Sequence, residues 1–138
     1  MRLSKTHRAY FEAAKSVAQL SDFPRINVGA VAVYKHRIIS SGYNSNKTNP
    51  VQKRFNAYRF NAESPACLHA EIACLLPLLN RKDINFRDVS LYVYREYKSG
   101  QLAIAKPCAS CNALIRSLGI KHVYYTGDQS YVYERNIY

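Results

Sequence analysis

The sequence lacks any apolar run approaching the roughly 18 residues that a membrane-spanning helix needs. Its basic start, MRLSKTHRAYFEAAKSVAQL, contains no continuous apolar segment with a cleavage site, so it is not typical of a secretory signal. No repeat, low-complexity tract or linker interrupts the chain. We therefore expect a cytoplasmic protein with no membrane partner, formed as a single domain over residues 1–138.

Acidic residues are also scarce. The chain has 9 Asp and Glu against 20 Lys and Arg, which gives a formal net charge of +11. No acidic residue lies between Asp22 and Glu63, whereas basic residues recur there: Arg25, Lys35, Arg37, Lys47, Lys53, Arg54 and Arg59. This excess favours an anionic partner, either nucleic acid or a nucleotide phosphate, although a basic surface that only keeps the protein soluble would have the same composition.

A hydrophobic content of 48% with 21% charged residues is typical of a folded protein. The first half predicts a helix closed by Asp22-Phe23-Pro24, followed by a hairpin of strands 28–34 and 37–43 with its turn at Lys35-His36. The polar stretch 44–64 predicts a long loop, with or without one short helix, and loops of that length are often functional.

The second half predicts a helix from about Cys67 towards Asn80, which Pro77 should kink or shorten. A strand over 89–96, a turn over 98–102, a helix from Pro107 to Gly119 and a strand over 122–127 follow. The tail is ambiguous between a short helix and a strand. This order predicts an α/β fold, a three-layer α/β/α sandwich with a mixed central sheet.

The four cysteines are Cys67, Cys74, Cys108 and Cys111. Without a secretory signal, reduced thiols or metal ligands are favoured over disulfides. Cys108 and Cys111 stand three apart in PCASC at a predicted helix start, so both sulfurs can approach one ion and the helix dipole favours thiolate. A C-x-x-C pair also occurs in redox motifs, so the pair alone leaves the chemistry open.

The segment CLHAEIACLL, residues 67–76, places His69 and Glu71 in an otherwise apolar run. Two thiolates and His69 would give three ligands, the number in catalytic zinc sites that keep a fourth position open for water. Side chains two apart on a helix point roughly 200° from each other, so His69 and Glu71 can reach one site only at the first turn. Glu71 would then serve as a proton shuttle and not as a ligand.

HAE followed by PCASC resembles the H-x-E…P-C-x-x-C signature of zinc-dependent cytidine and deoxycytidylate deaminases. The stretch 72–106 between the motifs is somewhat long for that family. The segments VGAVAVYKHRIISSGYN, LYVYRE and GIKHVYYT are similar to the family's first hairpin, third strand and fourth strand, so the resemblance covers most of residues 8–127.

The resemblance implies Zn²⁺ held by His69, Cys108 and Cys111, with Glu71 moving protons during hydrolytic attack on C4 of cytosine or C6 of adenine. It also implies that Asn44 binds the base and that Ala70, inside HAE, contacts the substrate. Self-association as a homo-oligomer is implied by the resemblance alone.

The loop KRFNAYRF, residues 53–60, mixes basic and aromatic residues and should border the pocket. Arg54 and Arg59 are therefore predicted substrate-binding residues, for single-stranded nucleic acid or for one nucleotide phosphate. A structural loop with solvated charges is the alternative. A second zinc site at Cys67 and Cys74 is conceivable, but buried apolar roles are more usual for such cysteines.

Three functions stay open. The first is deamination of cytosine in a nucleotide or a single strand. The amino-acid sequence of the hairpin and the segment GIKHVYY favour it. The second is deamination of adenosine in tRNA, because HAE followed by Ile72 is more usual in polynucleotide enzymes. The third is a zinc-stabilised domain that binds nucleic acid without catalysis. Glu71 speaks against the third, since a structural zinc site needs no carboxylate outside its ligands.

Overall fold

The computed structural model describes residues 4–23, 25–46, 49–56, 67–128 and 130–135. The elements are α1 (Lys5–Ala18), β1 (Ile26–Tyr34), β2 (Arg37–Tyr43), α2 (Pro50–Phe55), α3 (Ala70–Leu75), β3 (Val89–Tyr97), α4 (Ala109–Leu118), β4 (His122–Thr126) and β5 (Tyr131–Arg135). Short 3-10 turns at Leu76–Leu78 and Phe86–Asp88 precede β3. Within the described ranges, no helix is both long and apolar enough to cross a membrane.

The five strands form one sheet in the order β2-β1-β3-β4-β5. β3 and β4 are parallel, and the other neighbouring pairs are antiparallel. The crossover between the parallel strands contains α4, as parallel pairing requires a long connection. The predicted α/β fold with a mixed central sheet is confirmed.

Alternate residues of the central strands supply two cores, one on each face of the sheet. On one face, Phe11 and Ala14 of α1 pack with Val31 and Tyr92. On the other face, α3 and α4 pack against residues of the opposite parity, including Ala30, Leu91 and Val93. The helices therefore lie in two layers around the sheet, as the three-layer prediction requires.

The hairpin forms as predicted, with both turn residues, Lys35 and His36, at positive φ (49° and 65°). Two left-handed residues match the twist of adjoining strands in a tight hairpin. In β2, Gly42 lets α3 approach the strand directly, because a Cβ there would collide with the backbone of Ala70, Ala73 and Cys74. This close approach fixes the height of the α3 start above the sheet.

Two predicted helix starts were wrong by two or three residues. α3 begins at Ala70 and not near Cys67, because His69 is extended (φ −83°, ψ 152°), and Pro77 turns the end of the helix into a 3-10 turn. α4 begins at Ala109, with Cys108 as its N-cap residue, so Pro107 lies before the helix. The predicted end of α4 at Gly119 is confirmed (φ 87°).

In the described part of the polar stretch 44–64 lies the short helix α2, with Pro50 in its first turn and the Asn49 side chain accepting from the Val51 N–H at 2.9 Å. Residues 57–66 lie outside the described residues, and with them the second half of the loop 53–60. The ambiguous tail contributes β5, which pairs antiparallel with β4.

Candidate active site

The starts of α3 and α4 meet on the face of the sheet that carries both helices. His69 is the N-cap residue of α3 and Cys108 that of α4, and neither side chain makes the capping hydrogen bond. Cys111 is fully buried in the first turn of α4. The N-cap positions leave these side chains directed at one another instead of at their own helices.

The three donor atoms converge. His69 Nδ1 lies 3.5 Å from Cys108 Sγ and 3.3 Å from Cys111 Sγ, and all three donors lie within 4.8 Å of one another. In a tetrahedral site with ordinary zinc–ligand bond lengths, nitrogen and sulfur would be about 3.6 Å apart. The spacing and the borderline-soft N/S donor set therefore fit Zn²⁺.

The thiols are prepared for metal binding. A hydrogen bond from Cys111 lowers the pKa of the Cys108 thiol to about 3, and His69 acts in the same direction. The same hydrogen bond, together with burial, raises the pKa of Cys111. These contacts favour the thiolate form of Cys108, and thiolate is the form that binds zinc.

Glu71 is the second residue of α3 and is buried, with 6% exposure. Because His69 is extended and lies before the helix, the two side chains reach the same site, as the first-turn argument predicts. Burial raises the pKa of the Glu71 carboxyl, while His69 and a hydrogen bond with Cys111 act against that increase. Glu71 is thus adjacent to the three donors.

A buried network of amides and a hydroxyl links α2 to both helix starts. The Gln52 Oε1 accepts from the His69 N–H at 3.0 Å, and its Nε2 donates to Asn56 Oδ1 at 2.9 Å. Ser110, which directly precedes Cys111 in PCASC, donates to the same Asn56 Oδ1 at 2.9 Å. α2 therefore connects the segment of His69 to the segment of the two cysteines.

Sequence reasoning missed this network. Gln52 and Asn56 are four residues apart, a spacing that brings side chains together only on a helix. The spacing therefore predicts their contact only after α2 has been identified. Both lie in a polar stretch without hydrophobic periodicity, and their partners are 17 and 54 positions away along the chain.

The change Gln52→Met keeps the approximate shape of the side chain but removes both hydrogen bonds, leaving the His69 N–H buried without its acceptor. We expect the free energy of unfolding to fall by about 1–3 kcal/mol and zinc affinity to fall with it. Urea unfolding of the metal-free protein and competition with a zinc chelator measure the two effects. Gln101→Met, at an exposed turn position, is the control. Equal stability and zinc affinity in the two variants would contradict the role of the network.

The donors lie at a cavity of about 430 Å³, a volume typical of small-molecule sites. Apolar residues, among them Phe23, Val28 and Leu68, form much of its wall. His69, Glu71 and Cys108 also line it. The cavity thus combines apolar walls with a few polar groups, the usual composition of a ligand site.

Asn44 and Ala70 line the same cavity. The Asn44 Oδ1 accepts from the Val28 N–H at 2.9 Å, and its Nδ2 donates to the Ile26 carbonyl at 3.0 Å. The amide is therefore held rigidly by β1. Ala70 is the first residue of α3, where a backbone N–H has no partner within the helix. Their contact with a substrate stays a prediction.

The other predicted binding residues are placed differently. Arg54 is exposed on α2 with its guanidinium 5.0 Å from the centre of the Phe55 ring, and it is not among the described residues of the cavity wall. Arg59 lies outside the described residues. Cys67 lines the cavity, whereas Cys74 is buried in the core, where burial raises the pKa of its thiol to about 12.

Comparison with known proteins agrees with this geometry. The protein-family model of the cytidine and deoxycytidylate deaminase zinc-binding region matches residues 4–127 of this chain. The deoxycytidylate deaminase of Mycobacterium phage D29 is 31% identical over an alignment of 124 residues, and the match covers 81% of this chain and 87% of the relative.

Two solved structures share the fold. The dCMP deaminase of cyanophage S-TIM5, in complex with dCMP and dUMP, superposes with a TM-score of 0.62 at 22% identity and covers 91% of this chain and 83% of its own. The cytidine deaminase of Burkholderia pseudomallei gives 0.66 at 22% identity, over 94% and 91%. Because the family model matches nearly the whole chain, residues 4–127, the chain belongs to the zinc-binding cytidine and deoxycytidylate deaminase family.

Proposed function

We propose that the protein is a zinc-dependent hydrolase that converts cytosine to uracil in a deoxycytidylate-like nucleotide. The observation that carries the proposal is the convergence of a His/Cys/Cys donor set with a buried carboxyl in one cavity. The similarity to the phage deoxycytidylate deaminase supports the choice of a deoxycytidine nucleotide. The net charge of +11 supports cytosine in a single strand as a second candidate substrate.

In this proposal His69, Cys108 and Cys111 hold the zinc ion through Nδ1 and the two Sγ atoms. When bound, zinc supplies the Lewis acidity that makes water a nucleophile near neutral pH. The apolar walls formed by Phe23 and Val28 exclude bulk water and pack against the base.

Glu71 moves the protons. Its carboxylate oxygen accepts a proton from the attacking water, donates it to N3 of the cytosine ring, and then assists departure of the amino group as ammonia. The net reaction consumes one water and releases one ammonia. Burial raises the pKa of this carboxyl, so its carboxylate is a stronger proton acceptor than that of an exposed glutamate.

Asn44 and Ala70 position the base. The two backbone hydrogen bonds of Asn44 leave one N–H of its Nδ2 for an acceptor on the substrate. The N–H of Ala70, at the start of α3, is a second donor for a carbonyl oxygen of the pyrimidine.

The test is turnover by the zinc-loaded protein of dCMP, deoxycytidine, a deoxycytidine-containing single strand and a tRNA, with uracil or inosine measured by mass spectrometry. We expect uracil from dCMP. Product from the strand alone, with affinity that falls steeply as salt rises, would replace the nucleotide by a polynucleotide substrate. Inosine alone would identify a tRNA adenosine deaminase, and bound zinc without any product would favour the non-catalytic domain.

A further inference from the structure

Arg95 is a charged residue on the inner face of the central strand β3, two positions after Val93 of the core. It lines the same cavity as His69 and Glu71. One guanidinium nitrogen, Nη1, donates to the Ile104 carbonyl at 3.2 Å. The Nε is buried and has no hydrogen-bond partner among the residues that the structure describes. A buried guanidinium N–H without an acceptor is costly, so this group is suited to an acceptor supplied by a ligand.

Lys106 reaches the cavity through the segment that follows β3. This segment turns at Gly100, where the Tyr97 N–H donates to the Gln101 carbonyl at 2.9 Å, and then runs back along β3, with the Ala103 N–H donating to the Arg95 carbonyl at 3.0 Å. The Ala105 N–H next donates to the Thr126 carbonyl at 2.8 Å. The backbone therefore fixes where Lys106 enters the cavity wall, two residues before Cys108.

Among the residues that the structure describes, the Lys106 ammonium has only a weak partner. Its Nζ lies 3.8 Å from Glu134 Oε2, and the side chains of the two residues are 61% and 42% exposed. Exposed pairs at such distances contribute little, so this contact does not prevent Lys106 from binding an anion. Glu134 also accepts from the Tyr125 hydroxyl at 3.2 Å.

The described wall of the cavity thus holds two cations, Arg95 and Lys106, and one acid, Glu71, beside the zinc donors. A nucleoside carries no anionic group that either cation could bind. A phosphate carries the charge and the acceptor oxygens that a guanidinium binds well. Arg54, the described arginine that the sequence predicts to bind the substrate, is not among the described residues of the cavity wall. It is therefore not a candidate for this phosphate contact.

We propose that Arg95 and Lys106 form the subsite that binds the phosphate of the substrate, so that the enzyme acts on nucleotides in preference to nucleosides. This inference rests on the proposed function, since it assigns a specificity to the same cavity. It also gives a role to the long stretch 72–106, because the segment after β3 carries Lys106 and holds Arg95 through Ile104.

The test compares Arg95→Met, Arg95→Lys and Lys106→Met with Lys121→Met, which removes one positive charge at the opposite end of β4 from the site. We measure kcat and KM for dCMP and for deoxycytidine, and calorimetric binding of dUMP and of deoxyuridine. Charge-assisted hydrogen bonds predict that Arg95→Met weakens dUMP binding and raises the KM for dCMP by roughly tenfold or more, while the values for the nucleosides stay within about twofold. Arg95→Lys should lose less than Arg95→Met.

Equal effects on nucleotide and nucleoside, or effects no larger than those of Lys121→Met, would overturn the inference. If Arg95→Met does not fold, Arg95→Lys and the exposed Lys106→Met decide. If the wild type deaminates no cytosine substrate, the proposed function fails, and the subsite is judged by dUMP binding alone. A single strand carrying deoxycytidine distinguishes the source of the phosphate, because the same loss with the strand would assign the subsite to a backbone phosphate.

Discussion

Replacing Glu71 by Gln is expected to lower kcat by about 10²–10⁴-fold while the protein keeps its zinc. The amide has nearly the shape of the carboxyl and can still hydrogen-bond with neighbouring groups, but it cannot accept a proton from water and return it to the base. Because Glu71 is not one of the three converging donors, metal content should stay at the wild-type value.

The matched control is Glu96→Gln. Glu96 has the same exposure as Glu71, 6%, and is held by the Tyr94 hydroxyl at 3.0 Å and by Gln19 at 2.6 Å, in contact with the α1 side of the sheet. The Glu96→Gln substitution neutralises a buried carboxyl that does not line the cavity. Turnover of dCMP, zinc content and dUMP binding are measured for both variants. A Glu71→Gln enzyme within tenfold of wild type, or one that has lost its zinc, would contradict the assignment of Glu71 as the proton shuttle.

Cys111→Ser is expected to abolish stoichiometric zinc binding and, with it, the stability that zinc contributes. Cys111 is fully buried and lies 3.3 Å from His69 Nδ1, so the loss of its sulfur leaves two donors in a space shaped for three. Metal binding adds directly to the free energy of unfolding, by about 2.7 kcal/mol when free zinc is at 100 times its dissociation constant.

Thermal unfolding with and without a strong chelator measures this contribution. The chelator should lower the unfolding temperature of the wild type and leave that of Cys111→Ser unchanged. Cys74→Ser is the control, because Cys74 is equally buried but belongs to the core under α3. It should be destabilised and yet still respond to the chelator. A Cys111→Ser protein that binds one zinc with wild-type affinity would exclude Cys111 as a ligand.

The parts of the site that the sequence predicts are those whose partners are close along the chain. PCASC fixes two thiols at one helix start, and HAE fixes His69 and Glu71 at another, so local geometry suffices for each pair. The exact helix starts could not be predicted, because the extended backbone at His69 depends on tertiary contacts such as the Gln52 acceptor. The Gln52 network itself joins segments far apart in sequence.

Arg95 is an intermediate case. The alternation of VSLYVYRE predicts a strand, and the parity of that strand places Arg95 on the same face as Leu91 and Val93. A charged side chain on a buried face is a signal for function that could be read from the sequence. The return of the segment after β3 could not, since it depends on backbone hydrogen bonds to Arg95 and Thr126.

The position of β3 at the centre of the sheet has a consequence for the order of folding. β3 pairs with β1 from the first half of the chain and with β4 from the second. Along the chain, His69 and α3 precede β3, whereas Cys108 and α4 follow it. The donors are therefore brought together by contacts of long sequence separation, which form slowly because the intervening loops must close first. Zinc should therefore bind after the central strands have assembled, when most of the fold is already formed. We expect zinc to slow unfolding more than it accelerates folding.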